Sequence, residues 1–408
     1  MKSIFKTTLL LCTVIILKGC SKDDNPTNPD NNLAEKKTAF VENYANIVLA
    51  SYEDSVTKLN ELKTAVDAFV ATPTAANFQV AKDAWLASRE PYGQTEAYRF
   101  YDGPIDGSDG EPEGYINAWP LDEALIDYVA SGTGGQDLSD SRQNIVGNTN
   151  QYPTLTKEVL KNISGYNENE SNVTIGFHAI EFLLWGQDNT APSAKMSGQR
   201  PLTDYTTDAN ATRRGQYLKV ATELLIDDLK SVADQWKADA TYRKAFLGMP
   251  ADDAISMILT GAAKLSKGEL AGERMAVAVE NQSQEDEHSC FSDNTNRDVF
   301  LNAKSINNII NGTYTRIDGT TISGTSLLDV LALINTNEST DLATATSEVM
   351  TKVTAISDAE YFDFLIIGET LDNFNKPVMA AVLSLRKQGD LLAQSGKTIT
   401  GKTIDPSV

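Results

Sequence analysis

The sequence predicts an all-α protein of two domains, with at most one small β-hairpin. From Leu33 onward apolar residues recur at threes, fours and sevens, as in Phe40, Tyr44, Ile47, Val56, Leu59, Leu62, Val66 and Phe69. That is the spacing of a buried helical stripe, not the alternation of a strand. Clusters of Gly, Pro, Asn and Asp then punctuate the chain at helical intervals. Strand signals are confined to 312–317 and 320–323, on either side of Asp318-Gly319.

The chain opens with Lys2 and Lys6 ahead of an apolar run over 9–17, an export signal too short to span a bilayer. Its end, Leu17-Lys18-Gly19-Cys20, resembles a bacterial lipobox, in which Cys20 takes the lipid and becomes the new N-terminus. Residues 1–19 are therefore read as a signal peptide and 20–32, rich in Asp, Asn and Pro, as a flexible tether. The acids directly behind Cys20 resemble a surface-export signal of bacterial lipoproteins, so the expected location is the outer membrane, facing outward.

One long helix or a close pair follows, broken at Thr72-Pro73-Thr74, after which a second helix runs toward Glu96 and Phe100. Residues 101–119 read as a loop. Short helices are expected over 121–129 and 152–163, with a Gly/Ser-rich loop over 131–140 between them. Residues 174–185 form a helix that is apolar on nearly every side. The polar stretch 187–208 is the boundary between a first bundle, 33–200, and a second, 201–405. Helices over 210–238, 250–267, 268–282, 296–311, 326–335, 338–355 and 373–394 complete the second. Asp252 and Asp253 behind Pro250 make a good helix start.

Composition narrows the function. Over 408 residues the net charge is −21, and loss of Lys2, Lys6 and Lys18 with the signal takes it to −24. A chain so acidic lacks the basic footprint that nucleic acid requires. Cys12 leaves with the signal and Cys20 is acylated, so Cys290 stands alone as a small buried hydrophobe and no disulfide is expected. There is no nucleophile elbow, phosphate-binding glycine loop or Cys-x-x-Cys pair.

Histidine is scarce: the chain has 2, His178 and His288. His178 and Glu181 lie three apart on the apolar helix and share a face. A buried carboxylate needs a partner, so a metal, an arginine or a hydrogen bond to His178 itself must compensate Glu181. The segment is neither His-Glu-x-x-His nor the reversed, doubled motif of di-iron bundles. With so little histidine, a metal site must be rich in oxygen, which favours iron, manganese or calcium over a multi-histidine zinc centre. Glu96, mixed with Arg89 and Arg99 among aromatics, is the candidate third ligand, competing with an ordinary salt bridge at an amphipathic helix end. Asp122 reads equally as a first-turn helix residue. His288 follows Glu285-Asp286-Glu287, a run that reads as a solvated face where neighbouring acids hold the imidazole proton more strongly.

Taken together, Gly176-Phe177-His178-Ala179-Ile180-Glu181, the stretch from Arg89 to Phe100, Asn117-Ala118-Trp119-Pro120-Leu121-Asp122, Gly272-Glu273-Arg274-Met275 and the stretch from Gln284 to Asp293 resemble the imelysin-like family of exported bacterial proteins. The resemblance implies two helical bundles with the His-Glu motif near their junction. It implies two competing functions, iron uptake and metallopeptidase activity. The expected function is binding of iron, an iron chelate or another iron-containing ligand through His178, Glu181 and Glu96, with Arg99, Trp119, Asp122, Asp286 and His288 around them. Iron ranks ahead of zinc or calcium. The alternatives are a metallopeptidase acting on a peptide, with His178 and Glu181 as ligands or as ligand and base, and a metal-free binding module with a structural His-Glu pair.

Overall fold

The computed structural model describes residues 29–107, 112–130, 143–165, 171–359 and 361–408. The export signal, Cys20 and the loop over 131–140 lie outside the described residues. Among those described, the protein is all-α apart from one antiparallel hairpin, β1 (Thr313–Thr315) and β2 (Thr321–Ser323), which turns over Asp318-Gly319 as expected.

The long apolar stripe is a single helix, α1 (Pro29–Ala71). It starts inside the stretch expected to be tether, because proline tolerates the first helical position. At 43 residues it is roughly 65 Å long by the usual rise per residue. After the Pro73 break, α2 (Ala75–Tyr92) starts at the N-cap Thr74, whose side chain accepts from the Asn77 amide, and packs back along α1. Pro91 removes one helical hydrogen bond, and the chain tightens into a 3-10 turn over Gly93–Tyr98.

Short helices α3 (Pro112–Ile116), α4 (Glu123–Ile126) and α5 (Lys157–Ile163) lead to α6 (Gly176–Trp185), which is buried along its whole length. Then come α7 (Ala211–Gln235), α8 (Thr241–Gly248) and α9 (Ala251–Lys264). Where one helix was expected over 268–282, α9 runs on into a π-helix, Leu265–Ala276, and then α10 (Val277–Asn281). The chain finishes with α11 (Thr295–Asn311), the hairpin, α12 (Leu327–Ala332), α13 (Thr336–Ser357), α14 (Phe362–Ile366) and α15 (Pro377–Thr400).

Packing does not follow a division of the sequence near residue 200. Helix α7 packs on α1 and α6, with Val70 against Gly215 and Lys219 paired to Asp67 at 3.1 Å. The N-terminal half of α1 belongs with the later helices instead. Lys37 reaches Asp252 at 2.7 Å, Asn43 donates to the Gly312 carbonyl at 2.9 Å, and Asp54 pairs with Arg316 at 2.8 Å. The length of α1 is the reason: it passes through both groups, α1, α2, α6 and α7 at one end and α9, the π-helix, α11, α13 and α15 at the other. The polar stretch over 187–208 is partly interior, with Asp188, Arg200 and Asp204 buried.

Candidate functional site

The glycine of Gly-x-His-x-x-Glu has a local cause. Gly176 sits at φ +90°, and a Cβ there would lie 2.7 Å from the Ile116 carbonyl oxygen and 2.9 Å from that of Tyr115. Only glycine lets α6 begin this close to the end of α3. That contact brings Asn117 and Trp119 to the His178 side of α6, while Trp85 Nε1 donates to the Phe177 carbonyl at 3.0 Å and ties the helix to α2.

His178 Nδ1 and Glu181 Oε2 are 2.8 Å apart, and both side chains are fully buried. Glu181 Oε1 accepts from the Ser292 amide at 2.9 Å and from its hydroxyl at 2.7 Å. Burial pushes Glu181 up to about 8, against the pull of Ser292 and Arg89. Burial, reinforced by Arg89, also holds His178 well below its ordinary value. Both shifts favour the uncharged pair over an imidazolium facing a carboxylate. When Glu181 carries the proton, Nδ1 accepts and Nε2 is an N–H; when Glu181 ionises, Nδ1 donates and Nε2 offers its lone pair. Nε2 itself is buried with no hydrogen-bond partner.

His288 shares this pocket. Its ring centroid is 4.9 Å from that of His178, and Trp119 packs on the other imidazole at 5.1 Å, both edge to face. Asn117 Nδ2 donates to His288 Nε2 at 3.2 Å. The solvated, proton-retaining histidine expected from the sequence is overturned. His288 is 6% exposed, and burial, followed by Arg274 and His178, holds it well below its ordinary value. Of the neighbouring acids, Asp286 accepts from Asn281 at 2.8 Å and Glu287 is itself buried.

Glu96 is not a free ligand. Its Oε2 accepts from Arg274 at 2.8 Å and from Arg99 at 3.2 Å, and its Oε1 accepts from Asn117 at 3.2 Å. Burial alone would raise it, but Arg274, Arg99 and Arg89 overcome this and hold it at about 2. Arg99 reaches Glu113 at 3.1 Å as well, and Arg274 reaches Glu269 at 2.9 Å. Asp122 is the N-cap of α4, accepting from the Ala124 amide at 3.1 Å, and does not line the cleft described below. The structure thus brings His288 to the sequence-predicted pair His178 and Glu181, but Glu96 faces arginines and Asp122 caps a helix.

A resident metal held by protein donors alone does not fit this arrangement. Glu96 is saturated by guanidinium groups, and Glu181 is held by His178 and Ser292. Among the described residues no group of three or more His, Cys, Asp or Glu side chains forms a ligating cluster. What does match metal chemistry is His178 alone, an imidazole whose one nitrogen is held by a carboxylate while the other is left unpartnered.

Beside His288 lies a cleft of about 900 Å³, whose walls include Trp119, Asn117, His288, Arg99 and Arg274; His178, fully buried behind Trp119 and His288, does not line it. Glu113, Glu269, Glu273, Glu285 and Asp286 also line it. Since both arginines are already paired with glutamates, the remaining acids set the sign of its potential. The π-helix presents Glu269, Glu273 and Arg274 to the cleft from one short stretch.

Arg89, Asn117, Arg274, Ser292 and Asp298 were missing from the sequence-derived site. Arg89, 1% exposed, donates to Asn117 at 2.6 Å and to Asp298 at 3.2 Å, with its guanidinium over Phe177. Its position between Trp85 and Tyr92 on a buried helix face was the available signal, because a cation on an apolar stripe must have a partner.

The imelysin family profile, labelled Peptidase M75, matches residues 48–392. Iron-regulated protein A of Synechococcus elongatus is 25% identical over 273 residues, covering 65% of this chain and 62% of that protein's length. A crystal structure of an iron-regulated protein A precursor from Parabacteroides distasonis, 20% identical, has the same fold, with a TM-score of 0.65 over 89% of this chain and 95% of that one. With most of its length matched by one family profile, from within α1 to within α15, the chain belongs to the imelysin family.

Proposed function

We propose that the protein is a lipid-anchored component of the bacterial outer membrane, held through Cys20 and facing outward, that binds iron as cargo in the cleft above His178 and His288. The observation that carries the reading is the unpartnered Nε2 of His178, oriented by Glu181 just behind the cleft wall formed by His288 and Trp119. Two imidazoles leave an iron ion most of its coordination shell, so the cargo is an iron-containing ligand that brings oxygen donors with it. The acidic lining favours a cationic or neutral species. Glu181 orients His178 in this scheme, and Glu96 holds Arg99 and Arg274 in the wall. The relatives named iron-regulated protein A support the iron assignment.

Metal content by mass spectrometry and anaerobic equilibrium titration with ferrous sulfate, whose hydrated cation brings water oxygens, test it on wild type, His178→Ala and His288→Ala. Each variant is expected to bind about tenfold or more weakly. Affinity unchanged in both would remove the reading. Chelator-sensitive peptide cleavage that disappears in Glu181→Gln would replace it with the peptidase function that the family label suggests. Protease treatment of intact cells tests the location, with full protection contradicting an outward-facing anchor.

A further inference from the structure

Asn117 lies between the Glu96 ion pairs and the two imidazoles, and its amide can face only one way. It follows the last turn of α3, where its backbone N–H donates to the Glu113 carbonyl at 2.9 Å, and it is 2% exposed. Arg89 donates to Asn117 Oδ1 at 2.6 Å. Asn117 Nδ2 lies 3.2 Å from Glu96 Oε1 and 3.2 Å from His288 Nε2. A guanidinium has only donors and an ionised carboxylate only acceptors, so Arg89 and Glu96 together decide which end of the amide is oxygen and which is nitrogen. Glu96, held at about 2, keeps its acceptor role at neutral pH.

The orientation of Asn117 dictates the tautomer of His288. Asn117 Nδ2 donates one hydrogen to Glu96 and the other to His288 Nε2, so Nε2 must accept. An N–H at that nitrogen, whether in the other neutral tautomer or in a cationic ring, would face the Asn117 N–H with no acceptor between them. The ring proton of His288 therefore sits on Nδ1. Asp298 holds both sides of this arrangement, accepting from Arg89 Nε at 3.2 Å and from the hydroxyl of Ser289, the residue next to His288, at 2.5 Å. Among the described residues nothing pairs with His288 Nδ1, and unlike Nε2 of His178 that atom is not sealed from solvent. It is the ring nitrogen left to the cleft that His288 lines.

We propose that Asn117 is a positioning residue that fixes His288 as a hydrogen-bond donor, so that His288 holds an oxygen of the ligand in the cleft and does not bind its metal. The identity of that ligand rests on the iron reading above, which this division of labour narrows. His178, whose Nδ1 is held by Glu181, can offer a lone pair through Nε2. His288, whose Nε2 is held by Asn117, offers an N–H. One imidazole is thus arranged for a metal and the other for an oxygen atom. The cargo is iron that already carries oxygen ligands, one of which accepts from His288 Nδ1.

Nitrogen-15 NMR of the ligand-free full protein, labelled at histidine, tests this directly, because a ring nitrogen resonates far apart with and without its proton and the chain has 2 histidines. His178→Ala assigns the signals. Wild type is expected to carry the His288 proton on Nδ1 alone. Asn117→Ala is expected to turn His288 into a mixture of tautomers while the His178 signals stay in place, which reports a retained fold. X-ray absorption at the iron edge, after anaerobic loading with ferrous sulfate, is expected to find one imidazole on the metal in wild type and in His288→Ala, with the variant binding about tenfold more weakly. A His288 proton on Nε2 in wild type, an unchanged tautomer in folded Asn117→Ala, or two imidazoles on the iron would each overturn the proposal. A wild type that takes up no iron would remove the iron reading instead, and the tautomer would still decide whether Asn117 fixes His288.

Discussion

Glu96 and Glu181 are glutamates of the same burial, 2% and 0% exposed, at the two ends of one site, yet they lie on opposite sides of the ordinary carboxylate range. Glu96 is held at about 2, with Arg274 and Arg99 in direct contact and Arg89 close by; Glu181 is pushed up to about 8, with a neutral imidazole and a serine. Desolvation acts on both in the same direction. What separates them is the presence of guanidinium groups at contact distance, so the charge state of a buried acid in this fold is decided by its neighbours and not by its depth. The Glu96 end is a fixed ion-pair scaffold. The Glu181 end holds a carboxyl whose raised value favours its protonated form at neutral pH.

The largest effect is expected from breaking the scaffold. Arg274→Met removes the shortest cation contact of Glu96 and also strands Glu269 and Asn302. Arg99 and Asn117 still reach Glu96, so the expected loss is about 3 kcal/mol, at the low end for breaking a buried pair. The urea midpoint at neutral pH measures it. A loss under about 1 kcal/mol would mean that the pair behaves like an exposed one and that the contrast with Glu181 is overstated.

A smaller effect, and the one that separates the two glutamates most directly, is on the pH dependence of stability. Glu181 is raised in the folded state, so its contribution is fully present where it is protonated both folded and unfolded, and it is lost as pH rises toward about 8. Glu96 is lowered, so its contribution is present above the unfolded value and lost as pH falls toward about 2. Between about pH 6 and about pH 8, Glu181 alone should cost the ligand-free wild type about 2 kcal/mol. Glu181→Gln should remove that component and leave the acid limb unchanged, while Glu96→Gln should do the reverse. Parallel profiles for wild type and Glu181→Gln would contradict the raised value. Asp293, also near 8, keeps part of the alkaline slope in every variant.

The two ends were unequally visible in the sequence. Helical periodicity shows α1, α2, α6, α7 and α15 because their apolar stripes are long. It misses α8 and α14, whose 8 and 5 residues carry too few turns to repeat a pattern. It also misses the π-helix, which keeps the apolar rhythm of α9 and α10 while changing the hydrogen-bond period. His178 and Glu181 are legible as a pair because they are three apart on one helix and nothing else polar is near them. Glu96 was misassigned for the opposite reason. Its principal partner, Arg274, is 178 residues away, and sequence spacing carries no information about a contact of that range. His288 was read from its neighbours in the chain, whereas its surroundings in space are Asn117, His178 and three arginines from other segments, Arg274, Arg89 and Arg99.

The smallest expected effect comes from Ser292, which supplies Glu181 with two hydrogen bonds, one from its amide and one from its hydroxyl. Ser292→Ala removes only the second. The carboxylate form loses a donor while the protonated form loses little, so Glu181 should move further up, and the ligand-free protein should lose about 1 kcal/mol where Glu181 is ionised and less where it is protonated. The stability difference between Ser292→Ala and wild type should therefore widen from about pH 6 to about pH 9. A constant difference across that range would mean that the hydroxyl serves packing alone. If the difference widens, His178 is oriented by a carboxyl group whose proton affinity is set from the 284–293 segment, the same stretch that places His288 against it.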